Sequence, residues 1–164
     1  MNAIPDILNS LRQAPGVLTD LVGTIPEKRM ALRRGDGFWT ISAHVSHLAQ
    51  VQPLLLGRLR RFRDETRPSF VPYVPADDEK VPEPAPLIPT ASALAQFSKL
   101  RAAQLDLIEN WDAAIWSKEA DHPEYDCYTG LILVRHILMH DYWHMYRMEE
   151  LWLTRDAFLT RVEG

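Results

Sequence analysis

The chain has 164 residues, of which 46% are hydrophobic, and its formal net charge at pH 7 is −4. This length and composition favour one domain over residues 1–164, with a sizeable core. The mild negative charge and the lack of a basic stripe argue against nucleic-acid binding, and no apolar run approaches the roughly 20 residues that span a bilayer.

The cysteine content and the N-terminus indicate where the protein resides. A single cysteine, Cys127, excludes an intramolecular disulfide and a cysteine-based zinc site. The first residues, "MNAIPDILNS", lack the basic head and long apolar run of a signal peptide. We therefore expect a cytoplasmic protein that does not associate with membranes.

Two amphipathic helices are predicted in the N-terminal part of the chain. The first runs from about Pro5 to Val22, with apolar residues at helical spacing. The second begins at Thr40, a favourable N-cap residue, and runs towards Glu65. Pro53 lies inside the second helix and is expected to bend it or break it locally.

A proline-rich segment follows, and it holds seven of the twelve prolines between Pro68 and Pro89. Such a composition is typical of a disordered linker. This segment also carries Phe70, Tyr73 and Ile88, so it has enough apolar surface to lie on the rest of the protein. We expect an ordered, extended crossover.

Two more long helices complete the predicted fold. The third starts after Thr90 and reaches about Trp116, and the fourth runs from Thr129 or Gly130 to about Thr154. The last residues, "RDAFLTRVEG", are predicted to form a short C-terminal helix. Helices of similar length predict an all-α four-helix bundle. The long crossover is able to set helices two and three parallel, which gives the order up-down-down-up.

Histidines lie one turn apart on the fourth predicted helix. On a helical wheel, His140 and His144 fall inside the apolar stripe, and His136 lies at its edge. Two buried imidazoles each need a polar partner, and a carbonyl or hydroxyl would satisfy them as core residues. A divalent ion would satisfy both at once, and the i, i+4 spacing is the one by which helices hold zinc.

The second helix offers a further imidazole in "WTISAHVSHLAQ", at His44 or at His47. Either would complete a three-histidine site if the two helices pack together. The apolar stripe is centred nearer His44, so periodicity alone does not choose His47.

The sequence resembles the DinB/YfiT-like family of metal-dependent enzymes, the DinB superfamily. The resemblance rests on Trp39, Thr40 and "SHLAQ", and on "HDYWH" in the fourth helix. It extends over nearly the whole chain, because the helix count and the long crossover also agree. In this family three histidines bind one divalent metal inside a four-helix bundle. The resemblance implies that the metal ligands are His47, His140 and His144.

Three neutral imidazoles leave a divalent ion its full charge and at least one open position, which is the arrangement of catalytic sites. The resemblance implies a metal-dependent hydrolase, or a thiol S-transferase or isomerase that uses a low-molecular-weight thiol. Zinc or nickel are the expected ions, with iron or manganese as alternatives. A helical bundle that binds metal or ligand without turnover, in a stress-related or interaction role, is the competing hypothesis. The small-molecule substrate is unknown.

No general acid or base stands out in the sequence, so the catalytic residues are unknown. His44 and His136 flank the ligands, either as their hydrogen-bond partners or as half-buried residues, and His122 is expected in a loop. Other candidates follow the ligands on the fourth helix or lie on segments that cover a bundle end: Asp141, Tyr142, Tyr146, Arg147, Tyr73 and Tyr128. Exposed apolar positions on the long helices, and the resemblance, predict a homodimer.

Overall fold

Four long helices dominate the part of the chain that this computed structural model describes, which comprises residues 3–71, 84 and 86–162. They are α1 (Ala3–Thr24), α2 (Ile41–Asp64), α3 (Thr90–Ile108) and α5 (Gly130–Leu153). A short helix, α4 (Ala113–Ser117), lies between α3 and α5. Two antiparallel strand pairs join β1 (Leu32–Arg33) to β4 (Thr160–Arg161) and β2 (Glu119–Ala120) to β3 (Tyr128–Thr129). Within these residues, no helical segment combines the length and the apolar content of a membrane span.

Side-chain caps set the starts of the helices that carry the histidines. The hydroxyl of Thr40 accepts a hydrogen bond from the Ala43 amide at 3.1 Å. Thr129 does the same for the Ile132 amide at the start of α5. These caps satisfy amides that the first turn of a helix leaves without a partner. They confirm the predicted starts of both helices.

The core shows the direction of each helix. One half of the core combines the N-terminal parts of α1 and α5 with the C-terminal parts of α2 and α3. The other half combines the C-terminal parts of α1 and α5 with the N-terminal parts of α2 and α3. The chain therefore runs up-down-down-up, as predicted. The main contacts place α2 and α1 each against both α3 and α5. Representative residues are Ile7, Leu59, Ile108 and Leu133 in the first half and Leu18, Val45, Phe97 and Met148 in the second.

Helix α2 is continuous through Pro53, so the predicted local break is wrong. A proline inside a helix removes the hydrogen bond to the carbonyl four residues earlier. That carbonyl belongs to Ala49, and it accepts a hydrogen bond from the side-chain amide of Gln96 on α3 at 3.2 Å. The neighbouring helix thus replaces the missing donor.

Two predicted boundaries are also corrected. Helix α3 ends at Ile108 and not near Trp116, because Asp112 caps α4 by accepting from the Ile115 amide. The predicted C-terminal helix is only a 3-10 turn at Asp156–Phe158, followed by β4. The backbone of β4 satisfies its hydrogen bonds on β1 and not within a helix.

The crossover between α2 and α3 is attached to the bundle at both ends. At its start, the Phe70 amide donates to the Asp121 carbonyl at 2.9 Å, and the Phe70 ring is buried. At its end, the Ile88 amide donates to the hydroxyl of Ser46 at 2.8 Å. Residues 72–83 and 85, which include Tyr73, lie outside the described residues, so the expected extended conformation stays a prediction there.

Candidate metal centre

Three histidine side chains from α2 and α5 meet inside the bundle. His47, His140 and His144 each offer a ring nitrogen, and these nitrogens lie within 4.8 Å of one another. Nε2 of His47 and Nε2 of His140 are 3.1 Å apart. Two nitrogens that bind one zinc ion tetrahedrally, each at about 2.0–2.1 Å, lie roughly 3.3 Å apart. The spacing and the all-nitrogen donor set therefore fit a divalent ion.

The indole of Trp39 covers one side of this cluster. Its ring centroid lies 4.9 Å from that of His47 and 5.6 Å from that of His144, where the two rings are stacked. Trp39 immediately precedes the capping residue Thr40, so the start of α2 fixes its position. His47 and His144 are buried, whereas His140 is half-buried. The cluster is thus open to solvent on the side of His140.

Burial favours the uncharged form of His47 and His144. It lowers the pKa of His47 to about 4, with the charge of His140 as a second cause. Burial also lowers the pKa of His144, and the charges of His140 and His44 are the next largest causes. Neutral imidazole is the form that binds a metal ion. The environment therefore prepares these side chains for a cation at neutral pH.

His44 contacts the cluster from behind His144. Nδ1 of His44 lies 2.8 Å from Nδ1 of His144, and both side chains are buried. This hydrogen bond leaves Nε2 of His144 as the nitrogen available to an ion. Burial lowers the pKa of His44 to about 3, with the charge of Arg147 as the next cause. A second ring hydrogen bond of this kind fixes the orientation of a metal ligand.

A buried ion pair lies beside the three-histidine cluster, next to His140. The carboxylate of Asp141 accepts a hydrogen bond from the guanidinium of Arg101 on α3, and both side chains are almost fully buried. Its second oxygen, Oδ1, is 3.9 Å from Nδ1 of His140, and neither atom has a hydrogen-bond partner among the described residues. Gln52 and Gln104 extend this polar group, since Gln104 donates to Gln52 at 2.9 Å. Asp141 is therefore buried beside the three-histidine cluster.

The remaining candidates lie around the centre. His136, His122 and Tyr128 lie outside the three-histidine cluster and line a cleft beside His140. Tyr142 and Tyr146 are exposed on α5, and Arg147 pairs with Glu150. Tyr73 lies outside the described residues.

Sequence reasoning missed Arg101, Gln104 and Gln52, because charged and amide side chains are usually exposed. One signal was available for Arg101. It occupies the apolar stripe of α3, four residues after Phe97 and four before Leu105. An arginine at such a position predicts a buried acidic partner on another helix.

The chain is similar to known proteins in both sequence and fold. The sequence pattern of the DinB superfamily matches residues 10–148. Among solved structures, the fold is similar to that of YfiT from Bacillus subtilis, with a TM-score of 0.73 and 20% sequence identity. The match covers 90% of this chain and 84% of YfiT, which is described as a probable metal-dependent hydrolase with an unusual four-helix bundle topology. A comparison with curated proteins gives no match. Since the family pattern extends over most of its length, the chain belongs to the DinB superfamily.

Proposed function

We propose that the protein is a metal-dependent hydrolase that holds one divalent ion with His47, His140 and His144. The observation that carries the proposal is the convergence of three imidazole nitrogens from α2 and α5 within 4.8 Å of one another. A site with three protein ligands keeps a position open for substrate or water, as catalytic zinc sites do. The description of YfiT as a probable metal-dependent hydrolase supports the same reaction class.

The bound ion would supply a Lewis acid that polarises a carbonyl and lowers the pKa of water. The chain's own residues bind, orient and shield it. His44 holds the ring of His144, and the carboxylate of Asp141 lies beside Nδ1 of His140. Trp39 excludes water from the closed side, so substrate reaches the centre beside His140. Zinc and nickel suit three imidazoles best, with iron and manganese as alternatives.

Metal content and turnover test the proposal together. Purified protein should carry about one divalent ion per chain, and His47→Ala, His140→Ala and His144→Ala should each lose most of it in elemental analysis. His136→Ala is the matched control, because His136 lies on α5 outside the cluster. Full metal retention in any one of the three variants would remove that residue from the ligand set.

Activity is then measured on a panel of esters and amides, before and after chelation and after addition of zinc or nickel. A parallel panel includes a low-molecular-weight thiol, since a thiol-dependent transferase would use the same open site. Hydrolysis that depends on the ion supports the proposal. Turnover only in the presence of thiol would favour the transferase, and metal binding without turnover on either panel would favour a binding protein.

A further inference from the structure

A cleft of about 160 Å³ opens beside the half-buried ligand His140. It lies between α2, α5 and the loop that joins β2 to β3, towards the end of the bundle where the crossover begins. Since Trp39 covers the opposite side of the histidines, this cleft is the approach to the proposed centre. Its lining comprises Val51, Leu54, Leu55, Arg58, His122, Glu124, Tyr125, Tyr128, Leu133, His136, Ile137 and His140.

The two walls of the cleft differ in chemistry. One wall is aliphatic and comes from α2 and α5, with Leu55 and Ile137 as examples. The other wall is made of rings: Tyr125 and Tyr128 are nearly parallel at 5.7 Å, and His122 lies 4.4 Å from Tyr125. Such a slot accepts a flat apolar group, because aromatic faces and aliphatic side chains both pack against a ring.

The size of the cleft limits the part of a ligand that it holds. An apolar cavity of about 150 Å³ is large enough for benzene. The cleft therefore holds a group of roughly one ring, with the adjoining atoms extending towards His140 or towards solvent.

A half-buried cation, Arg58, lines the cleft. The guanidinium of Arg58 donates to the Val71 carbonyl at 2.9 Å and lies 5.5 Å from the centre of the Phe70 ring, so it is fixed in place. One hydrogen bond to a carbonyl leaves further N–H groups that suit a carboxylate. Among the described residues that line the cleft, the only acidic one is Glu124, which is exposed at its rim. The cleft therefore favours an anion.

We propose that this cleft binds the substrate, and that the substrate is a small carboxylic acid with an apolar, ring-sized body. The carboxylate pairs with Arg58, and the body lies between the aliphatic wall and the rings of Tyr125 and Tyr128. The reacting group then lies next to His140. This inference rests on the proposed function for the reaction, but the binding preference follows from the cleft alone.

Binding to the metal-free protein tests the preference, because a carboxylate has no ion to coordinate there. The probes are 3-phenylpropionate and the neutral 3-phenylpropanol, titrated by NMR with isotope-labelled protein. We expect the acid to bind at least about tenfold more tightly than the alcohol, as a hydrogen-bonded charge pair requires. Chemical-shift changes should centre on Tyr125, Tyr128 and His136.

Three substitutions identify the groups responsible. Arg58→Met should remove the preference for the acid, and Arg58→Lys, which keeps the charge, should retain most of it. Arg60→Met is the matched control, because Arg60 is an exposed arginine on the same helix outside this cleft. Tyr125→Ala should weaken the binding of the acid and of the alcohol to the same extent. Tyr125 is exposed enough for the fold to tolerate the change.

The outcomes separate the two proposals. Equal affinity for acid and alcohol, an unchanged preference in Arg58→Met, or no binding of either probe at millimolar concentration would overturn the cleft proposal. Selective acid binding that Arg58→Met abolishes, in a protein that takes up no metal, would support the cleft and refute the metal-dependent hydrolase. Metal-dependent hydrolysis with no selectivity for acids would support the metal-dependent hydrolase and overturn the cleft proposal.

Discussion

The hydrogen bond between Nδ1 of His44 and Nδ1 of His144 requires one ring to carry a proton at that position and the other to accept it. If His144 binds an ion through Nε2, its Nδ1 must donate and His44 must accept. His44 thus holds His144 in the tautomer and orientation that a ligand needs. Its effect on metal binding is indirect, through the ring that it orients.

His44→Ala should therefore weaken metal binding without abolishing it. Loss of a hydrogen bond that orients a ligand typically lowers metal affinity about 10–100-fold, whereas loss of His144 itself should remove the site. Competition with a chromophoric chelator measures both effects. His136→Ala serves as the control, and an affinity for His44→Ala equal to that of the wild type would show that the contact has no such role.

The buried histidines also predict how stability depends on pH. Burial lowers the pKa of His44 to about 3 and that of His47 to about 4, so the unfolded chain binds these protons more tightly than the folded one. The free energy of unfolding of the metal-free protein should fall as the pH drops from about 6.5 towards 4, by up to about 1.4 kcal/mol per pH unit for each such group.

Urea unfolding between pH 4 and 8 measures how the free energy of unfolding of the metal-free protein changes with pH. In the metal-free His47→Leu, His144→Leu double variant, the free energy of unfolding should fall less steeply with decreasing pH, because two imidazoles with lowered pKa values are gone. An equal slope in the two proteins would assign the acid sensitivity to other groups.

At the scale of a residue, periodicity in the sequence could not choose between His44 and His47 as the third histidine of the cluster. Both are buried on α2, and both contact an α5 histidine. Periodicity describes which face of a helix is buried, and it does not tell which nitrogen of two buried rings points at a third. Only the resemblance to the DinB superfamily selected His47.

At the scale of the helices, the Arg101–Asp141 pair ties α3 to α5 directly behind a proposed ligand. Removing one partner leaves a buried charge uncompensated, which costs about 3–5 kcal/mol, whereas replacing both by apolar residues costs far less. Asp141→Asn should therefore destabilise the protein strongly, and Arg101→Met combined with Asp141→Leu should recover most of the loss. Thermal and urea unfolding check this prediction. A double variant as unstable as the single one would contradict it.

The helix starts were predictable, and some ends were not. Thr40 and Thr129 are capping residues whose hydrogen bonds involve only the next few residues, so the local sequence determines them. The end of α3 and the β1–β4 pair depend on partners far along the chain. Gln96, whose side chain replaces the donor that is missing at Pro53, likewise lies on another helix. No local sequence pattern predicts this contact.

For the whole molecule, we expect the hydrophobic core to form without a metal ion. Both halves of the core bury large aliphatic and aromatic side chains. Small zinc domains differ, because there the ion supplies most of the folding free energy. Chelation at neutral pH should leave the helical circular dichroism signal in place, lower Tm moderately and abolish turnover. Unfolding at room temperature after chelation would instead make the ion structural.

One face of α5 suggests how copies of the chain associate. Met139, Tyr142, Trp143 and Tyr146 are exposed there, at spacings that place them on one side of the helix. We propose that this face forms a homodimer interface. Met139→Lys combined with Tyr146→Lys should shift sedimentation towards the monomer, and Val17→Lys on α1 is the exposed control. A monomeric wild-type mass at high micromolar concentration would contradict the proposal.

The ligands of the centre lie far apart along the chain, and this has a consequence during synthesis. His47 and His140 are 93 residues apart. At about 5–20 residues per second, a ribosome needs roughly 5–20 s to make the intervening segment. During that interval α2 presents one imidazole of the final set, and its partners do not yet exist. On the proposed ligand set, metal uptake therefore has to follow the translation of α5, so an ion would enter a nearly complete bundle and would not guide the folding of its first helices.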